Sequence, residues 1–447
     1  MVLNDIAEVL YDPVKAFKRI LENPKYLGSI IVIVLFVALM AAYWAGEFSK
    51  VNTENTSPVI GYLPAFTNST FWNSASGINV GNNYVDYFNY SIYDAEFGSP
   101  SSSSSYINLF TNYTSDIGPS SLEINATNTN DAMASLNIAS ALNSINTLTQ
   151  TNSTVSYVDS SSPSGFQNIS ISIEQVSPPT APQSAILTLY SSDSNFYSYD
   201  LTSLLSNETT NSWNNLTIGV GPNAQGWTSS GAPSWNNITS LKLDFSYPTG
   251  SNITINIGAL FFRGQYVNRL QSFGSTFLIA IGETFPLQIL FTWFILAGVM
   301  YLFFKGLKAN VVWKPIFVGV SFALVVMVVR GVVNSIATLT MPAIYVPYDV
   351  APGITLSILG LLSYPTSAIA TLTTTSQAAI TTMNSAIAAL GIITLLMFVI
   401  SYIWLGALCT VIIGTLKPEF SMIKRVMISA VSVGVTILLL LLLVGIV

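Results

Sequence analysis

The sequence predicts a mixed fold, a five-span α-helical membrane bundle with an extracellular antiparallel β-sandwich inserted between spans one and two. Three observations predict it. Long uncharged apolar stretches recur at both ends of the chain, each close to the ~20 residues needed to cross a bilayer as helix. The region between them alternates apolar and polar residues with a period of two, the mark of half-buried strands. Finally, 51% of the 447 residues are hydrophobic and only 8% are charged, well below the ~25% of soluble domains.

The first span is Gly28 to Ala45, with Lys25 and Tyr26 at one edge and Tyr43 and Trp44 at the other, as interfacial anchors require. Lys15, Lys18, Arg19 and Lys25 precede it, whereas Lys242 is the only basic residue between Val51 and Phe262. The positive-inside rule then puts the N-terminus in the cytoplasm and the following region outside. A cleaved signal peptide is the rival reading, but the apolar run exceeds a usual h-region. Residues 1–27 form a cytoplasmic amphipathic segment. Asp12-Pro13 opens a helix as N-cap and first position. Val14, Phe17, Ile20 and Leu21 share one face of it, and Lys15, Lys18 and Arg19 the other. Such a helix lies on the inner membrane surface with its cations near anionic headgroups. It serves as a juxtamembrane stop, with a docking surface for a cytosolic partner as the alternative.

Residues 51–266 are rich in Ser, Thr, Asn and Tyr. Eleven Asn-x-Ser/Thr sequons fall here, at Asn55, Asn68, Asn89, Asn112, Asn125, Asn152, Asn168, Asn207, Asn215, Asn237 and Asn252. Their complete segregation to this region indicates a surface domain carrying N-linked glycans. Residues 51–57 read as a linker and 99–105 as a loop. Ile169, Ile171 and Ile173, then Leu241, Leu243 and Phe245, then Ile253, Ile255 and Ile257 each mark a strand with one buried face. Trp213 and Trp235 each start a strand and are assigned to the core. Trp72 and Trp227 are assigned to the surface, where they could stack on sugars. Asp86, Asp94 and Glu96 fit no cation-loop spacing and read as solvated surface.

Four spans follow, at 273–304, 313–338, 387–416 and 426–447. Lys305, Lys308 and Lys314 place the turn between the second and third inside, and Lys417, Lys424 and Arg425 do so for the last turn. The C-terminus is then extracellular. Residues 341–385 read as a re-entrant or surface helical segment on the outer side, broken near Pro365. A sixth span over 353–372 would reverse the last basic turn. Within spans two and three, Glu283 and Arg330 lie at similar depth, and an unpaired central charge costs at least ~2.5–3.5 kcal/mol. An intramembrane pair between them is expected, with Asn334 one turn above Arg330 as hydrogen-bond partner.

Several chemistries are excluded. Cys409 is alone and the chain has no histidine, which leaves no disulfide framework, zinc site or His-based triad. Residues 51–262 hold thirteen acidic residues against one Lys, which argues against nucleic acid. No cofactor is expected. A glycosidase would need two carboxylates ~5–9.5 Å apart in a cleft, and no acidic pair here sits in a recognisable motif.

Residues 196–262, through FYSYDLTSLL, SWNNLTIGV, APSWNNITSLKLDF and ITINIGALFF, resemble the later strands of jelly-roll, carbohydrate-binding-module-like domains. The resemblance implies fold; INIG has Asn256 and Gly258 where such modules often carry Asp, so a calcium site is not implied. The helical part resembles the Yip family of Rab-interacting membrane proteins, in its prokaryotic branch. The likeness rests on DPVKAFKRILENPKYL, the basic turn FFKGLKANVVWKP and the hairpin IWLGALCTVIIGTLKPEFSMIKRVMISAV, and covers residues 1–46 and 273–447. Eukaryotic members are implicated in vesicle trafficking and membrane shaping; for prokaryotic members the resemblance implies no defined reaction. The large outer domain departs from that family. Sequon density and scarce Lys are similar to surface proteins of acidophilic archaea.

The expected function is non-enzymatic. The chain reads as a multi-pass plasma-membrane protein, a cell-envelope scaffold or glycan-binding surface component, with the bilayer, N-linked glycans and other envelope proteins as partners. The alternative is a transporter or channel component with a gate in 353–382.

Overall fold

The structure is a computed structural model that describes residues 2–58, 65–83, 121–148, 156–161, 164–206, 210–272, 274–347, 355–356, 362–363 and 374–444. It contains one large, mainly antiparallel sheet and five helices long and apolar enough to cross a membrane.

Helix α1 (Val2–Tyr11) and α2 (Pro13–Glu22) come first. Asp12 caps α2 by accepting the Lys15 N–H at 3.4 Å. Ala16, Phe17, Ile20 and Leu21 are buried while Val14 is 63% exposed, so the apolar face is rotated from the expected one. Helix α1 went unforeseen. It places Asp5 and Glu8 on Arg19, and the Arg19 hydrogen bond holds the Glu8 carboxyl below its usual range.

The apolar helices run Tyr26–Lys50, Phe277–Gly306, Trp313–Thr340, Ile387–Leu416 and Met422–Leu442. In order they correspond to α3 (Tyr26–Lys50), α5 (Phe285–Gly306), α6 with α7 (Trp313–Ala323 and Val325–Thr340), the later part of α8 (Thr374–Leu416) and most of α9 (Met422–Val444), a shorter α4 (Ile138–Leu148) belonging to the sheet region. The α6–α7 pair, with its break at Leu324, is the most enclosed: 72% of its most apolar window is buried, against 28–39% for the others. Close packing on α3 requires a small residue at Gly331, where a Cβ would stand 2.9 Å from that of Leu39. Such backbone approach is how apolar helices associate when lipid removes the hydrophobic drive.

The sheet is built on two long strands, β4 (Ser121–Asn137) and β10 (Ser240–Asn268). They pair antiparallel from Ser240↔Asn137 to Ile257↔Leu122, with the register interrupted between Ser246 and Ile253. Asn128 and Gly250 adopt positive φ there (52° and 82°), a conformation glycine tolerates and Asn visits. On the other side of β10, β6 (Ser184–Ser192) pairs before this corner and β5 (Asn168–Ser177) after it. Short strands extend each half: β2 (Trp72–Ser74), β7 (Asn195–Asp200) and β9 (Trp227–Ser230) one way, β3 (Ile78–Asn83) and β8 (Trp213–Gly219) the other. The two halves share one core. Ile169, Ile171, Ile173, Leu241, Leu243, Phe245, Ile253, Ile255 and Ile257 are all in it at 0–1% exposure, as the alternation predicts.

Two segments differ from expectation. Residues 51–57 form strand β1 (Val51–Ser57), continuous with α3, and pair with the end of β10 from Asn52↔Asn268 to Ser57↔Phe262. Its polar sequence resembles a linker because β1 is held by backbone pairing and by one buried ion pair. Within 341–385, Ile344–Val346 is a strand, β11, parallel to β1 through Val51↔Ile344. Thr355–Leu356 and Leu362–Ser363 pair as a hairpin, and α8 starts at Thr374. Pro365 lies outside the described residues.

Candidate functional site

The outward face of the β3–β4–β10–β5–β8 half follows from strand parity. With Leu122, Ile124, Ile171, Ile173, Ile255 and Ile257 turned into the core, Glu123, Ser172, Glu174 and Asn256 must point the other way. Cross-strand register then aligns them. Trp213 lies opposite Glu174, Glu174 opposite Asn256, Asn256 opposite Glu123, and Glu123 opposite Gly81. A second row brings Asn215 against Ser172, whose hydroxyl donates to the Asn215 side chain. The Asn256 amide donates to Glu174 Oε2 at 2.9 Å. Asn256 is 2% exposed, so it works from beneath the face by orienting Glu174, and its own Oδ1 is closed to solvent with no hydrogen-bond partner among the described residues. The row offers an indole at one end, then carboxylates and an amide at strand spacing. That suits a flat ligand rich in hydroxyls: carboxylates accept O–H donors, and the ring packs against C–H faces.

Trp213 and Trp72 fall differently from expectation, while Trp235 is in the core as expected. Trp213 opens β8, but its ring is half-buried on the outer face because Leu216 and Ile218 set the inward parity. Trp72 is in the core at 6% exposure, with Nε1 donating to the Phe66 carbonyl at 2.8 Å. Trp235 is core too, although it sits in a loop. It stacks on Tyr197 at 3.8 Å between centroids. Trp227 is half-buried against Tyr199 and Trp235 and donates to the Gly219 carbonyl at 2.7 Å. This cluster closes the sandwich edge and leaves Trp227 little ring to offer a sugar.

Among the described sequons, Asn55, Asn215, Asn237 and Asn252 are exposed, and Asn125 and Asn168 are half-buried. Asn68 is 8% exposed and caps a turn by accepting from Thr70. Asn89, Asn112, Asn152 and Asn207 lie outside the described residues, as do Asp86, Asp94 and Glu96.

Among the described residues no ion pair joins Glu283 to Arg330. Residues 280–284 are a π-helical turn, which inserts a residue and rotates the helix phase, and Glu283 is exposed. Helix α7 packs on α3 and α8. Arg330 therefore stands over the Phe398 ring at 5.1 Å and lines a small cavity with Gln288, Thr292 and Tyr402. Asn334 is buried, but no hydrogen bond joins it to Arg330 among the described residues. Of the proposed gate, 374–382 belongs to α8 and most of 353–373 lies outside the described residues.

An ion pair sits instead where sheet meets helices, with a second, looser electrostatic contact beside it. Arg263 Nε and Nη2 donate to Glu54 Oε1 and Oε2, both at 2.9 Å, and the Gly264 N–H reaches Oε1 at 2.7 Å. Glu47, at 2% exposure near the end of α3, lies close to Arg269. Burial pulls the Arg269 guanidinium down from its usual value, and the Glu47 charge acts the other way.

No protein-family model matches the chain, and no curated protein does. The resemblance of the helical part to the Yip family gains no support there. Among solved structures, the chain is similar to a family 11 carbohydrate-binding module from Clostridium thermocellum, solved with a β-1,3-1,4-mixed-linked tetrasaccharide. The identity is 12% over 47% of this chain and 95% of that one, with a TM-score of 0.24. It is also similar to the family 11 module of a cellulosomal cellulase of the same organism, at 13% identity over 43% of this chain and 85% of that one, with a TM-score of 0.21.

Proposed function

We propose that this chain is a non-enzymatic membrane protein that displays a glycan-binding sandwich at the cell surface. In this reading the five apolar helices cross the plasma membrane, the basic turns face the cytoplasm, and the sandwich and C-terminus face outward. Exposed sequons such as Asn237 and Asn252 carry glycans. The observation that carries the binding function is the outward row of Trp213, Glu174, Asn256 and Glu123, a ring and hydrogen-bonding groups aligned across four strands. The cavity beside Arg330 measures about 30 Å³, room for a couple of waters, and a binding or scaffold role is the reading taken over transport.

The test is binding of the purified full-length protein to a panel of soluble glycans that includes mixed-linked β-glucan. Losing a stacking ring costs about 0.5–1.5 kcal/mol beyond area, so Trp213→Ala should weaken binding several-fold or more. Trp227→Ala, at the sandwich edge, should not. Glycan binding that survives both Trp213→Ala and Asn256→Ala would remove this face from consideration.

A further inference from the structure

A wide groove lies far from the sheet, at the opposite end of the helices. It measures about 600 Å³ and is bounded by α2, the end of α8 and the start of α9. Its apolar lining includes Leu21, Val411 and Leu416, with Val14 and Met422 at 63% and 64% exposure. Lys18 and Arg425 supply two cations and Glu22 one carboxylate. Thr410 and Thr415 also line it, but their hydroxyls donate within α8, to Gly406 and Val411 carbonyls at 2.9 Å.

Arg425 is held in place before any ligand arrives. Its Nε donates to the Phe420 carbonyl at 2.7 Å and its Nη2 to the Pro418 carbonyl at 2.5 Å. Its remaining nitrogen, Nη1, rests over Gly414, at 2.7 Å from where a Cβ would be. The missing side chain lets the guanidinium lie against α8 and face the groove. Lys18 is exposed on the facing helix. The surroundings share the sign. Ten of the chain's 15 Lys and Arg fall within residues 15–25, 305–314 and 417–425, and α2 packs on α6 and α8 to gather those segments at one end.

We propose that this groove binds one anionic phospholipid. The phosphate sits between Lys18 and Arg425, and an acyl chain runs along Val411, Leu416 and Met422 toward the apolar surface of α8 and α9. A groove of ~300–1,000 Å³, mostly apolar with a few convergent polar groups, is the usual form of a small-molecule site. Exposed apolar side chains beside fixed cations at the end of two apolar helices match a lipid, whose headgroup and chain differ in the same way. Glu22 disfavours a second negative charge on the outer rim, which suits a singly charged headgroup.

The inference rests on the reading of the helices as membrane spans. Its test uses the full-length protein in detergent micelles, with bound lipid counted by native mass spectrometry. The probes are phosphatidylglycerol, phosphatidylcholine and inorganic phosphate. One phosphatidylglycerol should be retained in preference to phosphatidylcholine. Lys18→Gln, a change at an exposed position, should weaken retention by about fivefold, as one cation near an anionic headgroup implies. Val411→Trp, which fills the floor and leaves both cations, should abolish it. Equal retention of both lipids, retention unchanged in Lys18→Gln, or displacement by inorganic phosphate alone would overturn the proposal. A protein that still reconstitutes across a bilayer yet fails these tests separates this inference from the membrane reading.

Discussion

Replacing Glu54 with alanine is expected to destabilise the protein by about 3–5 kcal/mol, because it leaves a partly buried guanidinium without its counter-charge. Glu54 is 3% exposed and receives both Arg263 donors and the Gly264 N–H. These contacts fasten β1, which leads directly from α3, to the end of β10, which leads into the second long helix. The same pair replaced by apolar residues, Glu54→Leu with Arg263→Met, should recover most of the loss, since desolvation of a buried pair offsets much of its Coulomb gain. Thermal unfolding of the full-length protein in detergent checks both. A single mutant as stable as the wild type would mean that the pair contributes nothing to the junction.

The second large effect concerns the sandwich alone. Its core cluster runs from Phe66 to Phe262 and includes no residue of the long apolar helices. One such core is what a domain needs to fold independently. Residues 51–268 expressed alone should therefore show β-type circular dichroism and a cooperative melt. The shorter piece 55–265 keeps the core but drops Glu54 and the pairings of Asn52, Thr53 and Glu54 with Asn268, Val267 and Tyr266. It should be less stable by several kcal/mol, on the scale of the ion pair it loses. Equal melting of the two pieces would show that β1 is dispensable. A non-cooperative melt of 51–268 would show that β11 or the helices complete the fold.

Much of this arrangement was legible in the chain. Ile253, Ile255 and Ile257 announce their buried face by alternation alone, and the same parity puts Asn256 outside between two carboxylate-bearing strands. The alignment of Glu174 and Glu123 on either side of it was not legible, because register between distant strands leaves no local trace. The outward place of Trp213 is readable from parity, since Leu216 and Ile218 are an odd number of residues away, although an aromatic at a strand start suggests core. The burial of Trp72 is not readable, because it starts a three-residue strand with no alternation to read. Strand β1 hid behind polar composition, since its partners are more than two hundred residues distant. The Glu283–Arg330 pair failed on a local irregularity, the π-turn at 280–284.

The central claim is that the basic ends of the helices and the sandwich lie on opposite sides of a bilayer. Cysteine labelling tests it most directly, because the native Cys409 is fully buried in the helical core and leaves a silent background. Ser229→Cys, on the exposed β9 strand, and Lys308→Cys, in the exposed turn after α5, can each be treated on intact cells with a membrane-impermeant maleimide. Ser229→Cys should label at once, and Lys308→Cys only after the membrane is opened. Equal labelling of both on intact cells, or the reverse order, would contradict the account.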